Sequence, residues 1–181
     1  NPITFFNFQN GGMSFHGGFI GVLIAMLVFN RKYEFTFFQT TDFIAPLVPL
    51  GLGLGRLGNY INGELWGRVT ESSWGVLAPD QSGLWEQRFP TQLYEAFLEG
   101  LLLFIILWMF SKKNPPLFAT SALFLIFYGF FRFIIEFIRV PDSHIGYLAF
   151  DWLTMGQLLS FPMILIGLYF LNKSYNLKGQ T

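Results

Sequence analysis

The sequence has 181 residues, of which 52% are hydrophobic, 20% are aromatic and only 12% are charged. A soluble domain usually carries about 25% charged residues, so this composition excludes an ordinary soluble domain and indicates an integral membrane protein. The formal net charge of zero gives no indication of a nucleic-acid partner. Because the chain has no cysteine and only two histidines, it predicts no disulfide, no cysteine nucleophile, no cysteine-ligated metal and no typical zinc cluster. We expect no metal and no cofactor.

Apolar blocks of roughly membrane-spanning length predict an all-α integral membrane protein. We expect a polytopic helical bundle of about five transmembrane spans with polar extracytoplasmic loops, in a single membrane domain over residues 1–181. The chain begins at Asn1 and not at a methionine, so we expect it to be a fragment of a longer protein or a processed product; the family resemblance described below implies the C-terminal portion. The predicted spans are residues 13–29, 43–57, 93–110, 119–138 and 155–171.

Particular residues shape these spans. Pro46 and Pro49 lie inside the second apolar block and predict a kinked or broken helix. Thr91 is predicted to be the N-cap of the third span. The polar segment 58–90 carries three tryptophans and is predicted to be a loop on the membrane surface, where tryptophan is favoured.

Basic residues predict the orientation of the spans. Those that follow alternate spans fall on one side of the membrane, and the positive-inside rule makes that side cytoplasmic. The C-terminus is then expected in the cytoplasm and the two polar loops outside. The basic residues on the cytoplasmic side are Arg31, Lys32, Lys112, Lys113, Lys173 and Lys178.

The most informative stretch is residues 51–68, GLGLGRLGNYINGELWGR. It begins inside an apolar block and ends among polar residues that include Arg56, Asn59 and Glu64. Arginine at the end of a membrane-length apolar segment is costly unless it has a partner or a ligand. Its planar guanidinium best suits a phosphate or a carboxylate. The stretch therefore predicts a site for an anionic headgroup at the membrane surface.

Two other interpretations of this stretch exist. Residues 53–58 spell G-x-G-x-x-G, but a dinucleotide site needs a preceding strand and a βαβ unit, and the flanks here are membrane-like. Close helix packing through Gly51 and Gly55 explains some of the glycines. It does not explain the density of arginine, asparagine and glutamate.

A second cluster lies in the fourth predicted span. Tyr128, Arg132, Glu136 and Arg139 are spaced by four, four and three residues, which places them on one face of a helix. An arginine and a glutamate one turn apart can pair and lower each other's cost of burial. A purely structural ion pair is the alternative, but three ionisable groups on one membrane helix favour a functional site.

The predicted topology brings three distant segments to the outer membrane boundary. Two arginines at that depth can hold a phosphate and stabilise the charge that develops on it as a leaving group. His16 can act as a general base, or it can simply bond to a backbone carbonyl. The residues that converge are His16, Arg56, Asn59, Glu64, Arg132, Glu136 and Arg139.

Four segments resemble one protein family in their order and spacing. They are GGMSFHGG at 11–18, GRLGNYINGELWGR at 55–68, PTQLYE at 90–95 and YGFFRFIIEFIR at 128–139. The family is bacterial prolipoprotein diacylglyceryl transferase, and the resemblance spans nearly the whole chain. The chain departs from the family in having Phe89 where histidine is usual and Tyr60 where phenylalanine is usual. It also lacks about two spans that the family has at its N-terminus.

The resemblance implies a multi-pass enzyme of the bacterial cytoplasmic (inner) membrane, with its active site near the outer, periplasmic face. Such an enzyme moves the diacylglyceryl group of phosphatidylglycerol, a membrane lipid, onto the thiol of the lipobox cysteine in a preprolipoprotein signal peptide. A thioether forms and glycerol phosphate leaves. Carried over by motif, His16 is the candidate base, and Arg56 and Arg132 handle the phosphate. The residues expected to bind substrate are Asn59, Glu64, Gly67, Tyr128, Glu136 and Arg139.

Two further classes of protein stay open from the residues alone. A lipid or anion transporter would use the same arginines for binding, but transporter sites usually lie at the membrane midplane and not at its outer boundary. A structural membrane subunit with buried ion pairs predicts that replacing Arg56 or Arg132 lowers stability and function in proportion.

Overall fold

The structure is a computed structural model that describes residues 15–79, 83–141, 146–150 and 152–179, with the backbone alone at 15, 16 and 178. The described residues fall into two compact units, one up to Thr40 and one from Thr41 onward. Six helices and one β-hairpin make up the described chain. They are α1 (Phe15–Tyr33), α2 (Phe37–Ile44), α3 (Val48–Ile61), β1 (Val76–Pro79), β2 (Trp85–Arg88), α4 (Thr91–Ser111), α5 (Ala119–Ile135) and α6 (Met155–Lys178).

Helix α1 belongs to the first unit and ends as the sequence predicts, with Arg31 and Lys32 in its last turn. Many of its apolar side chains are about half exposed, among them Val22 and Ile24, as expected for a helix whose surroundings are lipid. Near its end the buried Asn30 accepts a hydrogen bond from the hydroxyl of Thr40. This contact joins the end of α1 to the start of α2.

The predicted break at the prolines is confirmed. Helices α2 and α3 together have the length and hydropathy of one membrane span, but they are bent by 45° at the three residues between them. Pro46 lies in that break, and Pro49 lies in the first turn of α3. Proline is accommodated in the first turn because the amide hydrogen it lacks would have no intrahelical acceptor there.

Helix α4 packs closely against α3 and contains a π-helical section, Ala96–Leu102. A Cβ added at Gly53 of α3 would lie 3.0 Å from the Cα of Gly100 in this section. The sequence offered close packing through small residues, with Gly51 and Gly55 as an example, as an alternative interpretation. Such packing is present in the described residues, but it occurs at Gly53 and not at these two glycines. Neither glycine has an atom within 4 Å of its would-be Cβ, because the contact surface of α3 lies on the other side of the helix.

The sequence predicted that residues 58–90 form a loop, but the structure also has helical and β-strand residues in this segment. Helix α3 continues to Ile61, and β1 and β2 form an antiparallel hairpin in which Val76 pairs with Arg88 and Pro79 with Trp85. Each strand has only four residues, too few for a pattern of alternating apolar residues to stand out. The protein is therefore mostly helical, with one small two-stranded sheet.

Helices α5 and α6 pack along their length through small residues. A Cβ at Gly129 would lie 3.0 Å from the carbonyl oxygen of Ser160, and one at Gly167 would lie 2.8 Å from that of Ala122. Helix α6 begins with a capping box, in which the Thr154 hydroxyl and the Gln157 side chain each accept a backbone amide hydrogen bond. In this first turn, a Cβ at Gly156 would lie 2.7 Å from the carboxylate of Glu136, so the start of α6 lies against the end of α5.

The number of membrane spans is lower than the sequence predicted, counting only the described helices. Helices α4 and α6 are long and apolar enough to cross a membrane, and the bent pair α2 and α3 is a third candidate. Helix α5 is apolar but has only 17 residues and ends at Ile135, short of the predicted 138. The structure thus supports a membrane protein with two or three candidate spans, and the count of five is not confirmed.

Candidate active site

Glu95 joins the two arginines that the sequence singled out. Its carboxylate lies 3.0 Å from Nε of Arg56 and 2.6 Å from Nη1 of Arg132. The Glu95 side chain is 1% exposed, whereas Arg56 and Arg132 keep 20% and 13% exposure. One buried carboxylate therefore holds two guanidinium groups from two different helices at one point, with part of each still accessible.

Arg132 also lies near two further carboxylates. Its Nη2 is 3.2 Å from Oε2 of Glu136 and its Nη1 is 3.9 Å from Oε1 of Glu99, while Arg139 is 3.7 Å from Glu136. The predicted pairing of Arg132 with Glu136 is confirmed. We call these six side chains the arginine–glutamate cluster. It comprises Arg56, Arg132, Arg139, Glu95, Glu99 and Glu136.

Tyr128 lies on α5 one turn before Arg132, as the spacing predicts. Its ring stacks on Phe124 at 5.5 Å between centroids and belongs to the apolar packing around Leu103, Leu107 and Phe131. The tyrosine therefore lies where the cluster meets the apolar core.

Two side chains at the start of α4 bind the backbone of the glycine-rich stretch 51–68. The side-chain amide of Gln92, a fully buried residue, donates to the backbone carbonyl of Glu64 at 2.5 Å, and the Thr91 hydroxyl donates to the backbone carbonyl of Leu65 at 3.0 Å. The prediction that Thr91 is an N-cap is wrong. Thr91 is the first helical residue after Pro90, and its hydroxyl is used across the fold instead of on its own helix.

Gly67 and Arg68 join the ends of two other segments by backbone hydrogen bonds. The amide of Gly67 donates to Phe89 and the amide of Arg68 to Ile138, each at 2.9 Å. A Cβ at Gly67 would lie 2.6 Å from Thr91 and 2.7 Å from the carbonyl oxygen of Ile138. Only glycine fits between these neighbours, so Gly67 contributes through its backbone.

Two more of the predicted residues lie beside this joint. Asn59 is half-buried, and its carbonyl accepts the amide hydrogen of Glu64 at 3.0 Å. The Glu64 carboxylate is exposed and accepts a hydrogen bond from Asn62 at 3.1 Å, so it is not among the carboxylates of the cluster. His16 lies in α1, but its side chain lies outside the described residues, and its place at the site stays a prediction.

Sequence reasoning missed Glu95 and Glu99 as members of the site. Glu95 belongs to the segment 90–95 and Glu99 to the third predicted span, and neither is among the predicted site residues. A signal was present, because two glutamates four residues apart lie on one helix face, and carboxylates within a membrane-length segment are costly without partners.

The cluster is suited to binding an oxyanion. Guanidinium groups offer several hydrogen-bond donors in a fixed plane, and both Arg56 and Arg132 keep exposed surface. Glu95 and Glu136 hold Arg132 in one orientation, which reduces the entropy that is lost when an anion binds. The surroundings are largely buried, so these charges act with less screening than at a water-exposed surface.

Comparison with known proteins decides the family. The family model described as prolipoprotein diacylglyceryl transferase matches residues 1–172 of the chain. The chain belongs to this family. Its membership agrees with the four sequence segments, of which those at 55–68, 90–95 and 128–139 meet in the structure around Glu95.

Individual relatives in the prolipoprotein diacylglyceryl transferase family are similar over nearly the whole chain. A phosphatidylglycerol–prolipoprotein diacylglyceryl transferase of Pseudomonas putida is 54% identical over 179 residues, which are 98% of this chain and 66% of that protein. The protein of the same name from Xanthomonas oryzae pv. oryzae is 52% identical, with 96% of this chain and 65% of that protein covered. The chain thus spans about two thirds of the length of these curated relatives.

Proposed function

We propose that this chain contains the catalytic centre of a phosphatidylglycerol–prolipoprotein diacylglyceryl transferase. The reaction moves the diacylglyceryl group of phosphatidylglycerol onto the lipobox cysteine of a preprolipoprotein, the first step of bacterial lipoprotein maturation. The observation that carries the proposal is the Glu95 carboxylate, which holds Arg56 and Arg132 side by side at 3.0 and 2.6 Å. Membership of the family supports the same reaction.

Arg56 and Arg132 are proposed to bind the phosphate of phosphatidylglycerol. The cysteine sulfur attacks the glyceryl carbon next to that phosphate, a carbon–sulfur bond forms, and the carbon–oxygen bond breaks. Its electron pair stays on the phosphate oxygen of the departing glycerol phosphate. Two guanidinium groups that are already fixed in place stabilise this added charge in the transition state. The attacking thiol belongs to the substrate, so the reaction needs no cysteine from the enzyme.

The other residues have supporting roles in this proposal. His16 accepts the thiol proton as general base. Glu136 and Arg139 complete the charged face around Arg132, and Tyr128 lies where the acyl chains would leave the charged region. Gly67 keeps the backbone joint closed, while Asn59 and Glu64 offer polar groups to the glycerol headgroup or to the peptide. The proposed reaction uses no metal, no cofactor and no nucleic acid.

The proposed setting is the bacterial inner membrane, with five spans contributed by this chain. Support comes from the basic residues that follow alternate apolar segments, which favour a cytoplasmic C-terminus. The arginine–glutamate cluster then lies near the outer, periplasmic face, where the start of α4 and the end of α5 meet. Phosphatidylglycerol would enter from the surrounding lipid and the signal peptide from the same membrane.

A transfer assay tests the proposal. The full-length protein in detergent is incubated with phosphatidylglycerol and a lipobox peptide, and mass spectrometry detects diacylglyceryl addition to the peptide cysteine. The variants are Arg56→Ala and Arg132→Ala, with Arg31→Ala at the exposed end of α1 as the matched control. Thermal melting checks that each variant is folded.

We expect addition with the unsubstituted protein and with Arg31→Ala, and its loss in folded Arg56→Ala and Arg132→Ala. No addition by folded, lipid-binding protein would overturn the proposal in favour of a transporter. Activity that falls only in proportion to melting temperature would indicate that the arginines are structural.

A further inference from the structure

Glu99 is a buried carboxylate that has no hydrogen bond. Its side chain is 0% exposed, and neither of its oxygens has a hydrogen-bond partner within the described part of the chain. The nearest guanidinium nitrogen, Nη1 of Arg132, is 3.9 Å away, which is beyond hydrogen-bonding distance. An ionised carboxylate in such a position is costly because burial removes its hydration without a full replacement.

The other carboxylates of the arginine–glutamate cluster are better paired. Glu95 has one oxygen 2.6 Å from Arg132 and the other 3.0 Å from Arg56. Glu136 lies 3.2 Å from Arg132 and 3.7 Å from Arg139. If one carboxylate of the cluster becomes neutral, Glu99 loses the least attraction.

The charges around Glu99 balance when all are ionised. Helix α3 contributes one arginine, α4 contributes a second glutamate, and the end of α5 contributes two arginines, one glutamate and a tyrosine. The arginine–glutamate cluster has three arginines and three glutamates, so its net charge is zero when all six are ionised. The phosphodiester of a bound lipid adds one negative charge. The ionisable groups that act on Glu99 are Arg56, Glu95, Tyr128, Arg132 and Arg139, and Glu136 is paired with two of these arginines.

We infer that Glu99 takes up one proton from solvent when an anionic phospholipid headgroup binds to Arg56 and Arg132. The inference rests on the proposed function, because it takes the phosphodiester to lie on these two arginines. Proton uptake leaves the occupied cluster neutral and removes the charge of Glu99, the carboxylate for which both oxygens are buried without a hydrogen-bond partner. The protonated carboxyl also becomes a hydrogen-bond donor, which a phosphate oxygen can accept.

Headgroup affinity then depends on pH with a definite sign. The bound state holds one more proton than the free state, so affinity rises as the pH falls, by up to about tenfold per pH unit. The variant Glu99→Gln is neutral at every pH and resembles the protonated carboxyl in shape. It is expected to bind the headgroup more tightly than the unsubstituted protein at alkaline pH, whereas the loss of a merely structural residue would weaken binding.

Calorimetric titration of the full-length protein with short-chain phosphatidylglycerol tests the inference. Titrations in buffers with different heats of ionisation give the number of protons taken up, and titrations from pH 6 to 9 give the pH dependence of Kd. The variants are Glu99→Gln and, as a control, Glu71→Gln, which changes an exposed carboxylate outside the cluster. The transfer assay is run in parallel on the same preparations.

At the alkaline end of this pH range we expect about one proton taken up by the unsubstituted protein and by Glu71→Gln, with uptake decreasing as the pH falls. We expect none by Glu99→Gln, whose Kd does not change with pH. No uptake by the unsubstituted protein overturns the inference whether or not the variant folds, and unchanged uptake in Glu99→Gln assigns the proton elsewhere. In both cases continued transfer leaves the proposed function intact. Absence of both lipid binding and transfer overturns the proposed function, and the inference fails with it.

Discussion

Gly100 and Gly53 lie backbone against backbone, so that a Cβ on Gly100 would be 2.7 Å from the Cα of Gly53. Among the glycines of α3 and α4, only Gly53 and Gly100 bring the two helices this close together. Arg56 follows Gly53 by one turn, and Glu95 and Glu99 precede Gly100 on α4. The close approach of the two helices therefore allows Arg56 to reach Glu95 at 3.0 Å.

Replacing Gly100 by alanine is expected to separate α3 from α4 and to lower stability. The added methyl group meets backbone, which cannot move aside as a flexible side chain can, and such overpacking costs about 1–3 kcal/mol. We expect a lower melting temperature in detergent and reduced transfer activity, because Arg56 moves away from Glu95.

The control for this variant is Gly51→Ala. Gly51 lies in α3, but no described atom lies within 4 Å of its would-be Cβ, so the better helix propensity of alanine should leave the melting temperature unchanged or raise it. Equal destabilisation by both substitutions would show that the helix contact at Gly53 and Gly100 does not set the stability.

Local patterns in the sequence predicted part of this fold. The break at Pro46 and the pairing of Arg132 with Glu136 each depend on residues a few positions apart, so a helical rule is sufficient to predict them. Gly51 and Gly55 fit a pattern of small residues, but the glycine that contacts α4 is Gly53, because the whole bundle decides which side of α3 faces α4. Nothing in the spacing of Gly51, Gly53 and Gly55 distinguishes one from another.

The sequence predicted that residues from different helices converge, among them Arg56 and Arg132. Arg56 and Arg132 were both expected to handle a phosphate, but the group that joins them, Glu95, belongs to a third helix and was not predicted. The same holds for Gln92, whose side chain bonds to the backbone of Glu64 28 residues earlier. Such contacts depend on tertiary packing. The sequence indicates that a carboxylate in a membrane-length segment needs a partner, but it does not indicate which residue that partner is.

Gly156 provides a test of how Glu136 is positioned. A Cβ at Gly156 would lie 2.7 Å from both Cδ and Oε2 of the Glu136 carboxylate, so alanine there must displace the partner of Arg132 and Arg139. Since misplacement of a charged group by about 1 Å can cost roughly a hundredfold in rate, we expect Gly156→Ala to lower kcat/KM for thioether formation at least tenfold. Initial rates in the peptide assay measure this.

The matched control lies at the other end of the same helix. At Gly179 the nearest atoms to an added Cβ are at 3.7 Å, an ordinary contact distance. Gly179→Ala should therefore keep the unsubstituted rate. If the two alanine variants are equally active, the Glu136 carboxylate does not need its present position for the reaction.

Asp42 caps the start of α5 from a distant part of the chain. Its carboxylate accepts hydrogen bonds from the amides of Phe118 and Ser121 at 2.5 and 2.8 Å and from the Ser121 hydroxyl at 2.6 Å. These amides would otherwise have no acceptor within α5, and a negative charge at a helix N-terminus is favourable. We expect Asp42→Ala to cost about 1–3 kcal/mol and to speed hydrogen exchange at both amides.

Ser121→Ala separates the contributions to this cap. It removes only the hydroxyl donor, and both amides keep their carboxylate acceptor, so exchange at residues 118 and 121 should stay slow. Fast exchange in Ser121→Ala as well would assign the protection to the serine and not to Asp42.

Glu95 is expected to be the carboxylate on which the stability of the site depends most. Removing one partner of a buried ion pair leaves the other charge without compensation and lowers the free energy of unfolding by about 3–5 kcal/mol. For Glu95→Gln we expect a loss near the lower end of this range, because the side chains of Arg56 and Arg132 are 20% and 13% exposed. Glu86→Gln breaks the more exposed pair between Glu86 and Arg88, whose side chains are 38% and 17% exposed, and should cost at most about 1 kcal/mol. Melting temperatures in detergent compare the two variants.

Added phosphatidylglycerol should then recover much of the lost stability in Glu95→Gln, since its phosphate can replace the missing carboxylate between Arg56 and Arg132. It should not change the stability of Glu86→Gln. Equal recovery in both would mean that the lipid stabilises the protein elsewhere than at these arginines.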